Sequence, residues 1–254
     1  MFRPRIIPVL LLKKDFLVKS KSFKDYNYIG DPINAVKIFN DLKADELVFL
    51  DITATKENRL VSLEFVKEVG EEASMPFAVG GGISTLDNIR AIINAGAEKV
   101  VICSAALDNP AFVRMASETF GSSTIAVCID VKKNFWGKEK VWGKNGTQPF
   151  DYDAVSFAKL METMGAGEII VQSIENDGQM KGYNIALVEK VSRAVSIPVV
   201  ALGGAGSFND LKKVYKEGFA NGVAAGSLFV YQGNKSGVLI NYPEKSELNF
   251  TLCS

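Results

Sequence analysis

The sequence contains no histidine in its 254 residues and only three cysteines, Cys103, Cys128 and Cys253. Histidine is the most common metal ligand and general base, so its absence argues against a metal site or a Ser–His–Asp triad. The cysteines are odd in number and lack CxxC spacing, which indicates a reducing compartment rather than disulfides or a zinc site. We therefore expect no metal and no cofactor, with any proton transfer left to Asp, Glu, Lys, Cys or Tyr.

The chain also lacks net charge and long apolar runs. Its 29 Lys and Arg residues balance 29 Asp and Glu residues, so nothing indicates a nucleic-acid partner or an anionic membrane partner. The apolar run 6–12 stops at Lys13, far short of the roughly 20 residues that span a bilayer, and it has no cleavage-site pattern. We expect a cytoplasmic protein that holds any anion locally.

Short apolar runs alternate with longer amphipathic stretches, as in parallel strands joined by helices. The predicted strands are 5–12, 46–52, 76–80, 99–103, 124–131, 168–173, 198–202 and 222–225. The predicted helices include 31–43, 61–73, 86–95, 153–164, 185–195 and 208–217. Eight strands with interleaved helices in a chain of this length predict one α/β domain over 1–254, a (β/α)₈ TIM barrel.

The two halves of the chain resemble each other. At an offset of 122 residues, 44–48 aligns with 166–170 and 76–82 aligns with 198–204. This repeat predicts two similar half-barrels, about 1–120 and 121–254. The alternative is a chance match between glycine-rich turns and apolar strands.

Glycine-rich turns follow two corresponding strands, at 79–83 and 202–206. Glycines there let backbone N–H groups approach an anion, and a small residue and a hydroxyl recur one strand later. The sequence predicts two phosphate sites, built from Gly82, Ser104, Gly204, Gly226 and Ser227. They would suit a substrate with a phosphate at each end. Tight turns without a ligand are the alternative.

Three aspartates lie where a barrel enzyme places its chemistry, at the carboxyl ends of the strands. Asp51 and Asp130 end apolar strands, and Asp177 lies in the loop 173–178. Burial would raise the pKa of such a carboxyl toward the range of a general acid or base. Asp130 is the best candidate and Asp51 a possible additional one, whereas helix capping is the alternative for each. Near the N-terminus the offset of the repeat becomes 119, so Asp130 aligns with Leu11, which cannot transfer a proton.

Charged residues begin four of the predicted strands: Arg5, Glu46, Lys99 and Glu168. Their side chains could converge on the opposite end of the barrel as a ring of mixed charge, where pairing would make burial tolerable. Separate solvated charges at the rim are the alternative.

Several segments together resemble HisF, the cyclase subunit of imidazole glycerol phosphate synthase, over nearly the whole chain. They are Arg5–Ile7, Gly30–Pro32, Asp45–Thr53, Pro76–Ile83, Gly165–Glu168, Asp177–Gly178, Gly182–Tyr183 and Gly203–Gly206. The resemblance implies a lyase- or cyclase-type subunit of a glutamine amidotransferase complex in histidine biosynthesis. It would dock a HisH-like glutaminase on its bottom face and pass ammonia along the barrel axis.

The resemblance also assigns roles to residues. It implies that Arg5, Glu46, Lys99 and Glu168 form the gate of the ammonia channel. It adds Asp177 and Gly178 to the phosphate-holding loops, and it places Lys19 on a mobile first loop that contributes to the same phosphate sites. A phosphorylated small molecule, or phosphate ions, would lie at the top face.

The departures from the family pattern are as informative as the matches. The family's cyclase uses aspartates at the ends of strands 1 and 5; Asp130 matches the second, but Leu11 occupies the first. Cys103 replaces an asparagine of the phosphate site, and the tail after Phe229 differs. Losing one member of an acid–base pair costs orders of magnitude in rate, so we expect weak or absent cyclase activity.

In these departures the sequence resembles the HisF-like, WbuZ-type branch. That branch is associated with amidination of cell-surface sugars, such as lipopolysaccharide O-antigen or flagellin glycan. That resemblance implies an ammonia conduit for a separate sugar amidotransferase, which is the favoured hypothesis. An active cyclase is the alternative. A related phosphosugar isomerase of half-barrel ancestry is a third hypothesis, and Leu11 argues against it equally.

Overall fold

The computed structural model describes residues 3–14, 16–232, 237–244, 247 and 250. Cys253 and Asp15 therefore lie outside the described residues. The core of the fold is eight parallel strands, β1 to β8. They span Arg5–Lys13, Leu47–Asp51, Phe77–Gly80, Lys99–Ile102, Ile125–Lys133, Glu168–Ser173, Val199–Leu202 and Gly222–Ala225. All eight lie within three residues of the predicted bounds.

The strands close into a barrel. Each pairs in parallel with its sequence neighbours, β5 pairs with β6, and β8 returns to pair with β1, where Arg5 lies opposite Gly222. The chain is thus a (β/α)₈ TIM barrel, as predicted.

Nine helices are described, α1 to α9. They span Pro32–Asp41, Leu63–Glu72, Leu86–Asn94, Ser104–Asp108, Pro110–Phe120, Ala154–Thr163, Ile185–Ser192, Phe208–Gly218 and Ser227–Val230. Side-chain caps fix several of the starts, because they satisfy N–H groups that have no partner inside the helix. The carboxylate of Asp31 accepts from the N–H of Asn34, and Thr85 and Asn88 cap α3 reciprocally. No helix among the described residues is long and apolar enough to cross a membrane.

Two antiparallel hairpins rise from the end of the barrel at which the strands terminate. The first hairpin consists of Phe16–Lys21 and Lys24–Gly30, and it continues β1 by pairing Leu11 with Val18. The second, which we call the fifth hairpin because it continues β5, returns along Glu139–Gly143. In it Asp130 pairs with Trp142. Both lie beside the region where a barrel enzyme carries its site.

Alternating residues of each strand divide the core in two. Outward-facing residues pack against the helices, and inward-facing residues form a separate apolar cluster along the axis. In β1 the inward series is Arg5, Ile7, Val9 and Leu11. Six residues of strand at roughly 3.3 Å each separate the first of these from the last by about 20 Å. One strand thus connects the two ends of the axis.

Candidate functional site

Four charged side chains close the bottom of the barrel, where the strands begin. Arg5 contacts Glu46 and Glu168. Lys99 Nζ lies 3.0 Å from Glu46 Oε1 and 3.1 Å from Glu168 Oε2. The charges alternate in sign around a closed circuit, which we call the charged ring. The two glutamate side chains are only 4% and 8% exposed, so these are not separate solvated rim charges.

Pairing explains how such charges are buried. Burial alone would lower the pKa of Arg5, but Glu168 and Glu46 raise it overall above its ordinary value. Each carboxylate of the charged ring is held by two cations, so removing one partner would leave a buried charge partly uncompensated. The ring is a fixed element of the bottom face.

A cleft of about 1190 Å³ opens at the other end of the axis. Leu11, Asp51, Gly82, Ser104 and Asp130 all line it. The structure therefore brings the predicted catalytic position, the leucine opposite it and the first-half phosphate loops to one cavity. The Ser104 hydroxyl accepts a hydrogen bond from the N–H of Lys144 at 3.0 Å, which ties this loop to the fifth hairpin.

Asp130 is buried at the base of this cleft between two thiols. Cys128 Sγ lies 3.5 Å from its Oδ1, and Cys103 Sγ lies 3.6 Å from its Oδ2. Burial raises the pKa of Asp130 to about 7; the thiol hydrogen bonds oppose this rise, and the charge of Asp177 adds to it. A carboxyl group with such a pKa can hold or release a proton near neutral pH. Its role as catalytic residue stays a prediction.

The thiols are not nucleophiles in this environment. Burial, followed by the charge of Asp130, raises the pKa of both Cys103 and Cys128 well above the ordinary value. Because the thiolate is the reactive form, both groups remain protonated donors. Cys128 also lies 4.0 Å from Gln172 Oε1, which makes this amide a further polar neighbour of the site.

Leu11 supplies an apolar wall of the same cleft. It is 9% exposed and belongs to the axial cluster with Val9, Val18 and Val48. Lys13, two residues further along β1, has its ammonium over the ring of Tyr26, 4.9 Å from the centroid. The position that would hold a second carboxylate is therefore hydrophobic.

Asp51 has fixed partners. Arg59 Nη1 lies 2.6 Å from its Oδ2, and its Oδ1 accepts from the backbone N–H groups of Thr53 and Ala54. Both oxygens are thus engaged in organising the loop after β2. An acid–base role for Asp51 is untested, and the geometry gives this carboxylate a structural role.

Lys19 belongs to the first hairpin, and its side chain is buried at the mouth of the barrel between Val9 of β1 and Gly226, which follows β8. Its ammonium donates to the carbonyl of Val9 at 2.5 Å, and a Cβ at Gly226 would lie only 2.2 Å from its Nζ. Burial lowers the pKa of Lys19 to about 8, although the charge of Asp177 opposes this. The lysine side chain therefore occupies the space beside Gly226.

Asp177 holds the first hairpin in this position. The Ser20 hydroxyl donates to Asp177 Oδ2 at 2.8 Å, and the N–H of Ser22 donates to the Asp177 carbonyl at 2.9 Å. Burial raises the pKa of Asp177, opposed by Ser20 and Lys19. Among the described residues that line the cleft, the second-half phosphate candidates do not appear: Gly178, Gly204, Gly226 and Ser227. Phosphate binding at either half stays a prediction.

Sequence reasoning missed several residues of the site. Arg59 was not singled out, and neither were Cys128 and Gln172 as neighbours of Asp130. Strand periodicity could have found the last two. Side chains two or four residues apart in a strand lie on the same face. Cys128 precedes Asp130 by two residues and Gln172 follows Glu168 by four, so Cys128 faces the axis with Asp130, and Gln172 faces it with Glu168.

The (β/α)₈ barrel thus has a ring of paired charges at one end of its axis and a cleft around a buried carboxyl at the other, the end at which barrel enzymes carry their sites. The family model described as "Histidine biosynthesis protein" matches residues 5–235. The chain is 44% identical to the protein named hisF2 of Pseudomonas aeruginosa over 249 residues, which cover 98% of this chain and 99% of that protein.

Two further relatives have similar coverage. The protein named hisF3 of Vibrio vulnificus is 43% identical over 97% of this chain and 95% of its own length. "Imidazole glycerol phosphate synthase subunit HisF" of Alkaliphilus metalliredigens is 41% identical over 91% and 92%. The chain belongs to the histidine biosynthesis protein family, and within it the chain is HisF-like.

Proposed function

We propose that this chain is the HisF-like subunit of a glutamine amidotransferase complex that conducts ammonia and has little or no cyclase activity of its own. A HisH-like glutaminase docks at the charged ring, and ammonia passes along the apolar axis to the cleft. A separate sugar amidotransferase uses it to amidinate a cell-surface sugar. The observation that carries this proposal is that Leu11 fills the cleft position opposite Asp130.

The bottom face supports the first step. Arg5, Glu46, Lys99 and Glu168 form one closed circuit, so displacing a single side chain breaks two ion pairs at once. Such a coupled element can respond to a docked partner as a unit. The axis behind it is lined by Ile7, Val9 and their neighbours, apolar side chains that would not compete for the protons of a small neutral molecule such as ammonia.

The cleft supports the second step. Ring closure by general acid–base chemistry needs two groups that exchange protons in opposite senses. Asp130 can take one role, since its pKa is about 7. Leucine cannot take the other, and Asp51 is engaged with Arg59. Two of the relatives have numbered names, hisF2 and hisF3, as expected of chains that accompany another member of the same family.

An active cyclase of histidine biosynthesis is the second candidate. It is favoured by the large cleft and by the near-neutral pKa of Asp130. In that case Asp130, with Asp51 or Asp177, would suffice for ring closure. A strain deleted for this gene would then require histidine, provided no second cyclase is present.

Reconstitution with a HisH-like glutaminase tests the proposal. We expect the protein to stimulate glutamine hydrolysis and Arg5→Ala or Lys99→Ala to lose this stimulation. Arg90→Ala and Lys67→Ala are matched controls, because both side chains are exposed on outer helices. Undiminished stimulation in both ring variants would contradict a gate at the charged ring.

A labelling experiment tests the acceptor. With amide-¹⁵N glutamine and a sugar amidotransferase present, we expect the label in the sugar only when glutaminase and this protein are both added. Transfer of equal yield without this protein would show that it is not the conduit.

A further inference from the structure

The tip of the fifth hairpin exposes two large aromatic side chains. Phe135 is 95% exposed and Trp136 is 80% exposed, the largest values among the described large hydrophobic residues. Their rings touch each other edge to face, with centroids 5.6 Å apart. Single exposed apolar residues are common, but an adjacent pair of this size raised on a hairpin marks a surface that is covered in use.

The turn itself does not need these aromatics. Asn134 makes it, because its side-chain oxygen accepts from the N–H groups of Trp136 and Lys138, each at 3.0 Å. Gly137 completes it with a φ of 73° and donates to the carbonyl of Asn134. The side chains of Phe135 and Trp136 take no part in these hydrogen bonds, so small polar residues at both positions would serve the fold equally well.

Lysines surround the tip. Residues 132–138 hold three lysines and no acidic residue, and the carboxylate of Glu139, opposite Lys133 in the hairpin, contacts Asn184 and Lys190 instead. Lys133 and Lys138 are exposed, whereas Lys132 has its ammonium over the ring of Trp142. The zero net charge of the chain is an average over the whole surface and does not describe this local excess of positive charge.

The residue types at the tip distinguish a protein partner from a membrane surface. Protein interfaces favour Arg over Lys, since lysine is depleted there. Trp and Phe beside Lys are instead the residues that settle at the boundary of a bilayer, where the rings enter the headgroup layer and the ammonium groups stay in water.

We propose that the tip of the fifth hairpin, Asn134–Lys138, binds the surface of membranes that contain anionic lipids. Only the two aromatic rings enter the headgroup layer of the membrane. The tip lies about five strand residues beyond Asp130, roughly 16 Å at 3.3 Å per residue, so the membrane would face the mouth of the cleft. Phe16 and Tyr28, a second exposed edge-to-face pair, lie on the first hairpin. The expectation of no membrane partner rests on the net charge of the whole chain, which does not describe this tip.

Vesicle sedimentation with the full-length protein tests this. We expect binding to phosphatidylcholine vesicles that contain phosphatidylglycerol and little binding to pure phosphatidylcholine. Each lysine near an anionic surface contributes about five-fold, so Lys133 and Lys138 together predict about 25-fold preference at low salt, falling as salt is raised. Absence of binding to anionic vesicles at low salt, or equal binding to both kinds, would overturn the proposal.

Variants locate the contact. Phe135→Ser with Trp136→Ser should abolish sedimentation, and Lys133→Glu with Lys138→Glu should abolish the preference for anionic lipid. Matched controls remove an exposed apolar residue, Met115→Ala, or reverse exposed lysines on outer helices, Lys67→Glu and Lys216→Glu. Because the tip variants change only exposed positions, their circular dichroism should match that of the natural protein. Unchanged binding in the tip variants would overturn the proposal.

Fluorescence gives an independent readout. The chain has two tryptophans, Trp136 and Trp142. Trp142→Phe therefore leaves Trp136 as the sole reporter, and its emission should shift to the blue with anionic vesicles and be quenched by lipids labelled near the headgroup. An emission spectrum that does not change at saturating anionic lipid would show that the tip stays in water and would contradict the proposal. None of these outcomes depends on ammonia transfer.

Discussion

Lys99 donates a hydrogen bond to Glu168 across the closed bottom of the barrel, with Nζ and Oε2 3.1 Å apart. The two residues begin strands β4 and β6, which are not neighbours in the sheet. The contact therefore crosses the axis rather than following the barrel wall. Arg5 makes the equivalent contact from β1. The charged ring thus lies across the axis at the bottom face.

Glu168→Gln tests the pairing within the charged ring. The amide would leave Arg5 and Lys99 with one carboxylate between them, so we expect a loss of about 3–5 kcal/mol in the free energy of unfolding. Urea denaturation measures this loss. Glu217→Gln, at an exposed position of α8, is the control and should stay within about 0.5 kcal/mol of the natural protein. A ring variant as stable as this control would show that the ring is not electrostatically coupled.

Asp130→Asn tests the raised pKa of the buried carboxyl. In the unfolded chain this group has a pKa of about 3.9, whereas in the folded protein the pKa is about 7. Between these values only the folded state binds the proton, so its contribution to stability is full below about pH 4 and is lost as pH rises through 7.

The variant lacks this dependence. Its stability relative to the natural protein should therefore rise between pH 4 and 7 and then level off. Asp177, whose pKa is also raised, is present in both proteins, and its interaction with Asp130 is part of the measured difference. A difference that does not vary with pH would contradict an elevated Asp130 pKa.

Lys19→Met tests whether the buried lysine destabilises the fold. Burial lowers the pKa of Lys19 to about 8, whereas the unfolded value is about 10.4. Between these values the unfolded chain binds the extra proton, so the stability of the natural protein rises with pH over that range. We expect the advantage of the methionine variant to be greatest at pH 7 and to shrink as pH rises from 8 to 10. Thermal unfolding at several pH values measures it, and a constant difference would contradict the lowered pKa.

Gly226→Ala tests whether the Lys19 side chain occupies the space beside Gly226. The added methyl group would lie 2.2 Å from Lys19 Nζ, and the next nearest atoms are Lys19 Cε and Val9 O, each at 3.2 Å. Because the end of a lysine side chain moves easily, stability should change by only about 1 kcal/mol. The pKa of Lys19, followed by NMR of the ¹³C-methylated amine, should return toward its ordinary value.

Gly178→Ala is the contrasting variant. Here the methyl group would meet the backbone oxygen of Ser20 at 2.0 Å, and φ is 68°. It should destabilise the first hairpin by more, about 1–3 kcal/mol. Equal effects of the two alanines on stability and on the Lys19 pKa would show that Lys19 does not occupy the space beside Gly226.

Much of the barrel could be predicted because its signals are local. Eight buried strands read as apolar runs, and the six helices predicted by periodicity all form. The charged ring was anticipated as one of two alternatives, since charges at strand starts share one end of the barrel. Its closure could not be predicted, because it depends on side chains reaching across the axis.

The hairpins were missed for a physical reason. Residues 16–30 alternate polar and apolar side chains weakly and carry several lysines, so they do not read as buried strands. Their pairing depends on contacts with distant loops, such as that between Ser20 and Asp177. The burial of Lys19 follows from that packing, and nothing in its sequence neighbours indicates it.

The loss of cyclase activity through Leu11 is tested by measuring ammonia-dependent consumption of the substrate of the HisF-type cyclase, a ribulosyl formimino compound, by the purified protein and by Leu11→Asp. We expect no turnover by the natural protein and measurable turnover by Leu11→Asp, because the rest of the cleft around Asp130 is in place. Turnover by the natural protein at a rate typical of enzymes, on the order of 1 per second or more, would contradict it and identify the protein as a working cyclase.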